Sequence, residues 1–331
     1  MKDFRDPKVF WYAPGKYWVM VVALPNDHKI RFYKSPNLKA WDLLSEFGPA
    51  GATGGQWECP DLFPLPVEGK AGEKKWMLSV NINPGGLQGG SADQYFVGEF
   101  DGTHFTNANA PNVTLWADYG ADFYASTSFS DIPAKDGRRI WIGWLSNWIY
   151  ANDEPTSPWR GLQSFPRVLS LRDTPDGLRL VQKPVAEIEK LRQRPLELRN
   201  VTIEEANRKL ADFHGQSYEI ELNGTADVQV LKDPDHETVV STNGTIHIDR
   251  TDSGNVAFHK GFAAVHRSVP ARDARLRIFV DRSVIDVFGN NGATVMTERV
   301  FPPESATGLQ LSGPPSNRIS LTIWKMASAW K

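Results

Sequence analysis

Along the first half of the chain, hydrophobic and polar positions alternate in short runs, and the runs recur. The turn residues Ala13-Pro14-Gly15-Lys16 precede an apolar run from Tyr17 to Leu24, followed by runs from Lys29 to Lys34 and from Trp41 to Phe47. With the opening Asp6-Pro7-Lys8-Val9-Phe10, this predicts four short strands in about 40 residues, the size of one propeller blade. A second copy opens at Pro60-Asp61-Leu62-Phe63 and continues through Lys75 to Ile82, Gln94 to Phe100 and His104-Phe105. A third opens at Asp122-Phe123-Tyr124-Ala125 and continues through Arg139 to Leu145, Arg167 to Leu171 and Leu178 to Gln182. Trp18, Trp76 and Trp141 mark the register, 58 and 65 residues apart. The drift in spacing falls in Pro84 to Ala92 and Ser146 to Gln163, where loops on one face of a blade array meet ligands.

The pattern then changes. Val185, Ile188 and Leu191 recur at helical spacing behind Pro184, which suits a first helical turn, so residues 183–194 read as a short connecting helix. Strand-like runs return at Ser217 to Leu222, Ala226 to Leu231, Thr245 to Asp249, Arg275 to Val280, Val284 to Phe288, Thr294 to Val300 and Ile319 to Trp324. Asn291-Gly292 between two of them is a hairpin signal. Glu204 to Asp212 is ambiguous between strand and helix. The chain therefore reads as all-β: a repeat of about three blades over residues 1–182, a linker over 183–194 and a β-sandwich over 195–331.

Composition narrows the function. The 331 residues carry 37 Lys and Arg against 39 Asp and Glu, a net charge of −2. That leaves no basic field for nucleic acid or anionic lipid. No run of about 18 apolar residues predicts a membrane-spanning helix. A single cysteine, Cys59, excludes an internal disulfide framework. The opening Met1-Lys2-Asp3-Phe4-Arg5-Asp6 holds no apolar signal core. The 12 tryptophans suit β cores and ring faces that pack on sugars.

The candidate chemistry sits at the blade openings, which carry Asp6, Glu58 and Asp122. Carboxylates gathered in a tryptophan-rich pocket point to glycoside hydrolysis, in which one acid is held protonated and another is ionised beside the developing positive charge. The plainer reading is three strand-end acids that hydrate loops. The seven histidines form no close pair with metal-motif spacing, so neither a metal nor a cofactor is expected. Gly85-Gly86 and Gly89-Gly90 lack the Lys-Ser/Thr that would make them a phosphate loop. Cys59 has no nearby histidine to activate it and reads as a small semi-buried thiol.

At these same residues the sequence resembles glycoside hydrolase family 32, the family of invertases, inulinases and levanases. The resemblance rests on Phe4-Arg5-Asp6-Pro7, Trp57-Glu58-Cys59-Pro60-Asp61 and Gly120-Ala121-Asp122-Phe123-Tyr124-Ala125. It continues through Trp141-Ile142-Gly143-Trp144-Leu145-Ser146-Asn147-Trp148 and Pro155-Thr156-Ser157-Pro158-Trp159-Arg160, which are most similar to the exo-acting levanase and exo-inulinase branch. Ser35-Pro36-Asn37-Leu38-Lys39-Ala40-Trp41 resembles a recurrent blade signature, and Phe279 to Phe288 resembles the family's sandwich motif.

The resemblance implies a five-bladed propeller joined to a sandwich that cleaves terminal β-fructofuranosyl units of levan, inulin or sucrose with retention. It implies Glu58 as the general acid/base and Asp6 as the transition-state stabiliser, where the residues alone would cast Asp6 as nucleophile. It implies Arg5 beside the same fructose ring, Asp122 and Trp144 as pocket residues and Trp57 in the pocket wall. The family is commonly secreted or periplasmic. Its nucleophile is the aspartate of a Trp-Met-Asn-Asp-Pro-Asn-Gly motif in the first blade, and this sequence contains no such motif. The Arg-Asp-Pro motif opens the third blade in the family, so two blades, roughly 100 residues at about 50 per blade, are expected to be absent. Open blade edges would then favour self-association or a partner chain. Two other readings follow: a fructan-binding remnant or one part of a split enzyme, and an arabinan- or xylan-cleaving propeller enzyme. Glu58-Cys59 and the Asp281 to Phe288 motif argue against the last.

Overall fold

A computed structural model describes residues 3–242, 244–270 and 275–330; Met1 and Lys2 of the opening segment lie outside them. By its contacts the chain divides into two units. The first comprises Met1–Ala117, Phe123–Trp148 and Gln163–Val181. The second comprises Asp118–Asp122, Ile149–Leu162 and everything from Gln182 onwards. The linear division read from the sequence gives both excursions to the propeller, whereas their contacts lie in the second unit.

In the first unit the repeat forms the sheets of a β-propeller. Strands β1 (Arg5–Tyr12), β2 (Tyr17–Leu24), β3 (Lys29–Ser35) and β4 (Asp42–Phe47) pair antiparallel in chain order. Strands β5 (Gln56–Pro66), β6 (Lys74–Asn83), β7 (Ala92–Phe100) and β8 (Phe105–Asn107) repeat the meander, with β9 (Leu115–Trp116) also on β7. In the third sheet β10 (Tyr124–Ser128), β11 (Arg139–Leu145), β13 (Arg167–Thr174) and β14 (Gly177–Pro184) lie in order, and β12 (Leu162–Gln163) pairs with β11. Period-two alternation sends Val19, Val21, Ala23, Ile30 and Phe32 to one face of the first sheet. There they share a core with Trp57, Leu62, Leu78, Val80 and Ile82 of the second. The other face of the first sheet carries Val9, Trp11, Trp18, Met20, Tyr33 and Leu43, joined by cross-strand pairing; Trp11 and Leu43 are exposed and the others half-buried.

Each sheet's first strand carries the same irregularity. Three residues of the strand, counted from Arg5 to Lys8, Glu58 to Asp61 and Tyr124 to Thr127, advance against two of its partner. Such a bulge bends the strand and re-aims the side chain beside it. Inside each bulge a non-glycine residue is left-handed: Asp6 at φ 61°, Cys59 at 43° and Ala125 at 51°. L-residues resist this conformation by about 1–2 kcal/mol, so its recurrence at three equivalent positions needs compensating bonds. The bulges also fix the repeat register. Trp18 and Trp76 are equivalent by this measure, and Trp141 is two residues out of step.

The second unit is a sandwich. Its six-stranded sheet runs β15 (Leu196–Thr202), β25 (Arg318–Lys325), β16 (Ser217–Asn223), β21 (Arg275–Asp281), β22 (Val284–Gly289) and β23 (Thr294–Arg299). The five-stranded sheet runs β20 (Val265–Pro270), β19 (Thr245–Asp249), β18 (Thr238–Ser241), β17 (Asp227–Lys232) and β24 (Gly308–Ser312). Tyr218, Ile220, Leu222, Val228, Val240 and Ile278 are among the buried residues of the core between them. The connecting helix is a 3-10 helix, Ala186–Leu191. The ambiguous stretch forms helix α1 (Ile203–Leu210), begun by a capping box in which Thr202 and Glu205 bond each other's backbone. Asn291-Gly292 makes the β22–β23 turn with both residues at positive φ.

Buried charge organises this unit. Asp118–Asp122 lies along β23, with Tyr119 N–H bonded to Val295 O at 2.8 Å and Asp122 N–H to Thr297 O at 3.1 Å. Gly120 permits that approach, because a Cβ there would strike the Thr297 backbone. Asp122 is fully buried and accepts from Tyr150 OH at 2.6 Å, Arg299 N–H at 2.8 Å and the Arg250 guanidinium at 2.7 Å. Arg250 also lies 2.8 Å from Glu298 Oε2, a charge contact rather than a directed hydrogen bond. Removing one partner of a buried pair strands the rest without water. Arg250→Met should therefore destabilise the chain by about 3–5 kcal/mol. Arg208→Ala, which breaks an exposed pair with Glu204, should cost at most about 0.5 kcal/mol. Denaturant midpoints of the two variants check this ordering.

Candidate active site

The residue immediately before each bulge is Arg5, Glu58 and Tyr124, and these three meet. Arg5 donates to Glu58 Oε1 at 2.6 Å and to Gln56 Oε1 at 3.0 Å. Tyr124 OH donates to the other Glu58 oxygen, Oε2. One carboxylate thus joins three sheets, with a donor on each oxygen from a different neighbour. Burial lowers the Arg5 pKa, but its bond to Glu58 and the charges of Glu58, Asp6 and Asp3 outweigh that and raise it. Burial and the Glu58 carboxylate push the Tyr124 hydroxyl well above its ordinary value, so it stays a donor.

The bulges are tied to one another as well. Asp6 Oδ2 accepts from Cys59 N–H at 3.1 Å. The Cys59 carbonyl accepts from Asn81 Nδ2 at 3.3 Å, and Asn81 Oδ1 accepts from Ala125 N–H at 2.7 Å. Asn81 itself is fully buried. These bonds offset the left-handed strain and set the spacing of the three first strands. The residues after the bulges repeat the convergence: Lys8 Nζ lies 3.3 Å from Asp61 and 3.0 Å from Thr127.

Of the expected site residues, Arg5, Asp6 and Glu58 come together, each partly exposed. Trp144 stands next to them, its ring 6.3 Å from that of Tyr124. Two expectations are corrected. Trp57 is fully buried in the core of the first unit, with its indole N–H bonded to Ala52 O at 2.8 Å, so it has no face left for a sugar. Asp122 is not the third blade's counterpart of Glu58. Its oxygens are taken by Arg250, Tyr150 and the Arg299 backbone within the second unit, and Tyr124 holds the equivalent position. Tyr124 stood in the same sequence motif and was passed over for its acidic neighbour. Asn81 has no local signal at all, because its partners come from two other strands. Among the described residues no group of three or more His, Cys, Asp or Glu side chains could hold a metal ion.

Comparison with known proteins places the chain. Residues 1–184 match the glycosyl hydrolases family 32 N-terminal domain and residues 187–325 the family 32 C-terminal domain. A levanase of Bacillus subtilis is 46% identical, across 99% of this chain and 51% of the levanase. An extracellular exo-inulinase of Aspergillus niger is 37% identical, across 99% of this chain and 66% of its own length. The crystal structure of an exo-inulinase from Aspergillus awamori superposes with a TM-score of 0.88 at 33% identity, covering 99% of this chain and 68% of that one. A β-fructofuranosidase from Schwanniomyces occidentalis, solved with fructosyl-erythritol, gives 0.84 at 28% identity, covering 98% and 70%. The chain belongs to glycosyl hydrolase family 32. It spans about half to two thirds of the length of these curated relatives.

Cys59, next to Glu58, supplies a test of the site's electrostatics. Burial, followed by the charges of Asp6 and Glu58, pushes its thiol up to about 12. The thiolate is the reactive form, and a pKa raised to about 12 leaves almost none of it at pH 8. Iodoacetamide at pH 8 should leave Cys59 unmodified in the folded chain and label it fully in urea; mass spectrometry reads the difference. Rapid labelling of the folded chain at pH 8 would contradict this environment.

Proposed function

We propose that this chain carries the acid/base and fructosyl-binding side of a β-fructosidase site, acting on terminal β-fructofuranosyl units of levan, inulin or sucrose. The observation that carries this reading is the Arg5–Glu58–Tyr124 cluster at three equivalent strand bulges, with Asp6 beside it. Glu58 gives its proton to the leaving oxygen and, once ionised, takes one from water. Arg5 and Asp6 hold hydroxyls of the fructosyl ring as positive charge develops on it. Tyr124 fixes the Glu58 carboxyl from the opposite side. The levanase, exo-inulinase and β-fructofuranosidase relatives support the substrate class.

A retaining route needs a second carboxylate about 5–5.5 Å from the acid/base. The Trp-Met-Asn-Asp-Pro-Asn-Gly motif that carries it in the family does not occur in this sequence. A second reading follows, in which these 331 residues bind a fructosyl unit and cleave it only when another polypeptide segment supplies the nucleophile. The specific observation in its favour is the outer face of the first sheet. Trp11 and Leu43 are exposed there, with Trp18, Met20 and Tyr33 half-buried beside them. An apolar sheet face of this kind is suited to another sheet stacked on it.

Calorimetry with fructose and short fructans, beside a fructose-release assay on levan, inulin and sucrose, separates the two readings. Release of fructose by the 331-residue chain supports a self-sufficient enzyme; binding without release supports the split site; neither overturns both. In any preparation that releases fructose, Glu58→Gln should lower turnover by about 10²–10⁴-fold and leave binding within severalfold. An unchanged rate would remove Glu58 from the acid/base role.

A further inference from the structure

Next to the Glu58 cluster stands an indole that none of the assigned roles uses. Trp148 is 48% exposed, yet its surroundings are fixed. Its ring lies 4.9 Å from that of Trp144, tilted by 45°, and the Trp144 ring in turn lies 6.3 Å from that of Tyr124. The backbone N–H of Trp148 donates to Ser91 Oγ at 3.2 Å. The preceding residue, Asn147, is fully buried, donates to Gly89 O at 3.2 Å and accepts from Ser91 N–H at 3.3 Å. The loop 84–91 and the start of the loop after β11 are thereby locked together, and the indole stands on a rigid base.

The other exposed tryptophans lack this setting. Trp11 belongs to the outer face of the first sheet, the Trp159 ring lies 5.7 Å from the Arg299 guanidinium, and Trp330 lies at the end of the described chain. Trp148 instead extends a line of rings that begins at the acid/base. The two oxygens of Glu58 sort the neighbourhood: Oε1 faces Arg5, which has Asp6 beside it, and Oε2 faces Tyr124, which leads to Trp144 and Trp148. An acid that protonates a glycosidic oxygen stands between the ring it releases and the ring it retains. The Arg5 side carries charged hydrogen-bonding groups for fructosyl hydroxyls. The Trp148 side carries flat apolar faces with a fixed tilt.

We infer that Trp148, stepped from Trp144, is the stacking platform for the leaving-group sugar, the second ring of a fructose-terminated oligosaccharide. This rests on the function proposed above and adds a binding residue to it. A preorganised aromatic face adds affinity with little ordering cost. It serves a ligand that has a second ring and leaves fructose alone unaffected.

The test is calorimetry of the chain and its Trp148→Ala and Trp148→Phe variants with fructose, sucrose and the trisaccharide and tetrasaccharide of inulin. Trp148→Ala should weaken the oligosaccharides by about tenfold and leave fructose unchanged, and Trp148→Phe should recover most of the loss. Quenching of tryptophan fluorescence by oligosaccharide should fall in both variants. Equal weakening of fructose and oligosaccharides, or no weakening of either, overturns the platform while the site reading stands. If the unaltered chain binds no fructose and no oligosaccharide, the site reading fails and takes the platform with it.

Discussion

The Glu58 carboxylate is the constraint on which the rest of the first unit depends. A charged group with both oxygens engaged by donors from two other strands tolerates little relative movement of those strands. The interaction is directional, and a lost donor leaves a partly desolvated charge. Arg5 and Tyr124 reach it only because their strands are kinked at the same point. The kinks in turn persist because Asp6, Asn81 and the Cys59 backbone bond across from sheet to sheet. Apolar burial holds the sheets together without specifying their register to a fraction of an ångström. The polar links at the strand starts provide that registration.

The second unit uses charge in a different way. Asp122, Arg250 and Glu298 are buried beyond the reach of substrate or solvent, and their bonds hold an excursion of the chain against β23. Acidic residues two positions either side of a strand start can therefore have unrelated duties. Glu58 remains one-fifth exposed at its side chain, and Asp122 is wholly enclosed. Exposure together with partners, more than residue type, separates a group that can exchange protons with a substrate from one that holds the fold.

Much of this was legible in the chain. Alternation predicts β2 and β11 with their observed limits, since Tyr17–Leu24 and Arg139–Leu145 have one clearly apolar face and firm turn residues around them. The weaker strands β18 and β20 were missed, because Thr238–Ser241 is short and Val265–Pro270 mixes basic and apolar residues on an edge. The connecting segment kept its helical spacing but tightened to a 3-10 helix. Motif and charge singled out Arg5, Asp6 and Glu58, which the structure brings together. They misplaced Asp122 and Trp57, which are buried, because neighbours along a strand alternate between its two faces. A bulge moves that alternation by one residue, and no local signal marks a bulge whose left-handed residue is Asp, Cys or Ala in place of glycine.

The three bulges present one backbone device with three different chemistries. At the same structural address stand a guanidinium, a carboxyl and a phenol, followed by a carboxyl, a thiol and a methyl. The bulge geometry is thus independent of which side chain it presents. Yet at this address the side chain is also part of the frame, because Glu58 is held by Arg5 and Tyr124 and Asp6 holds the Cys59 backbone. A substitution at any of the three bulges therefore alters the registration of the sheets together with the chemistry they present.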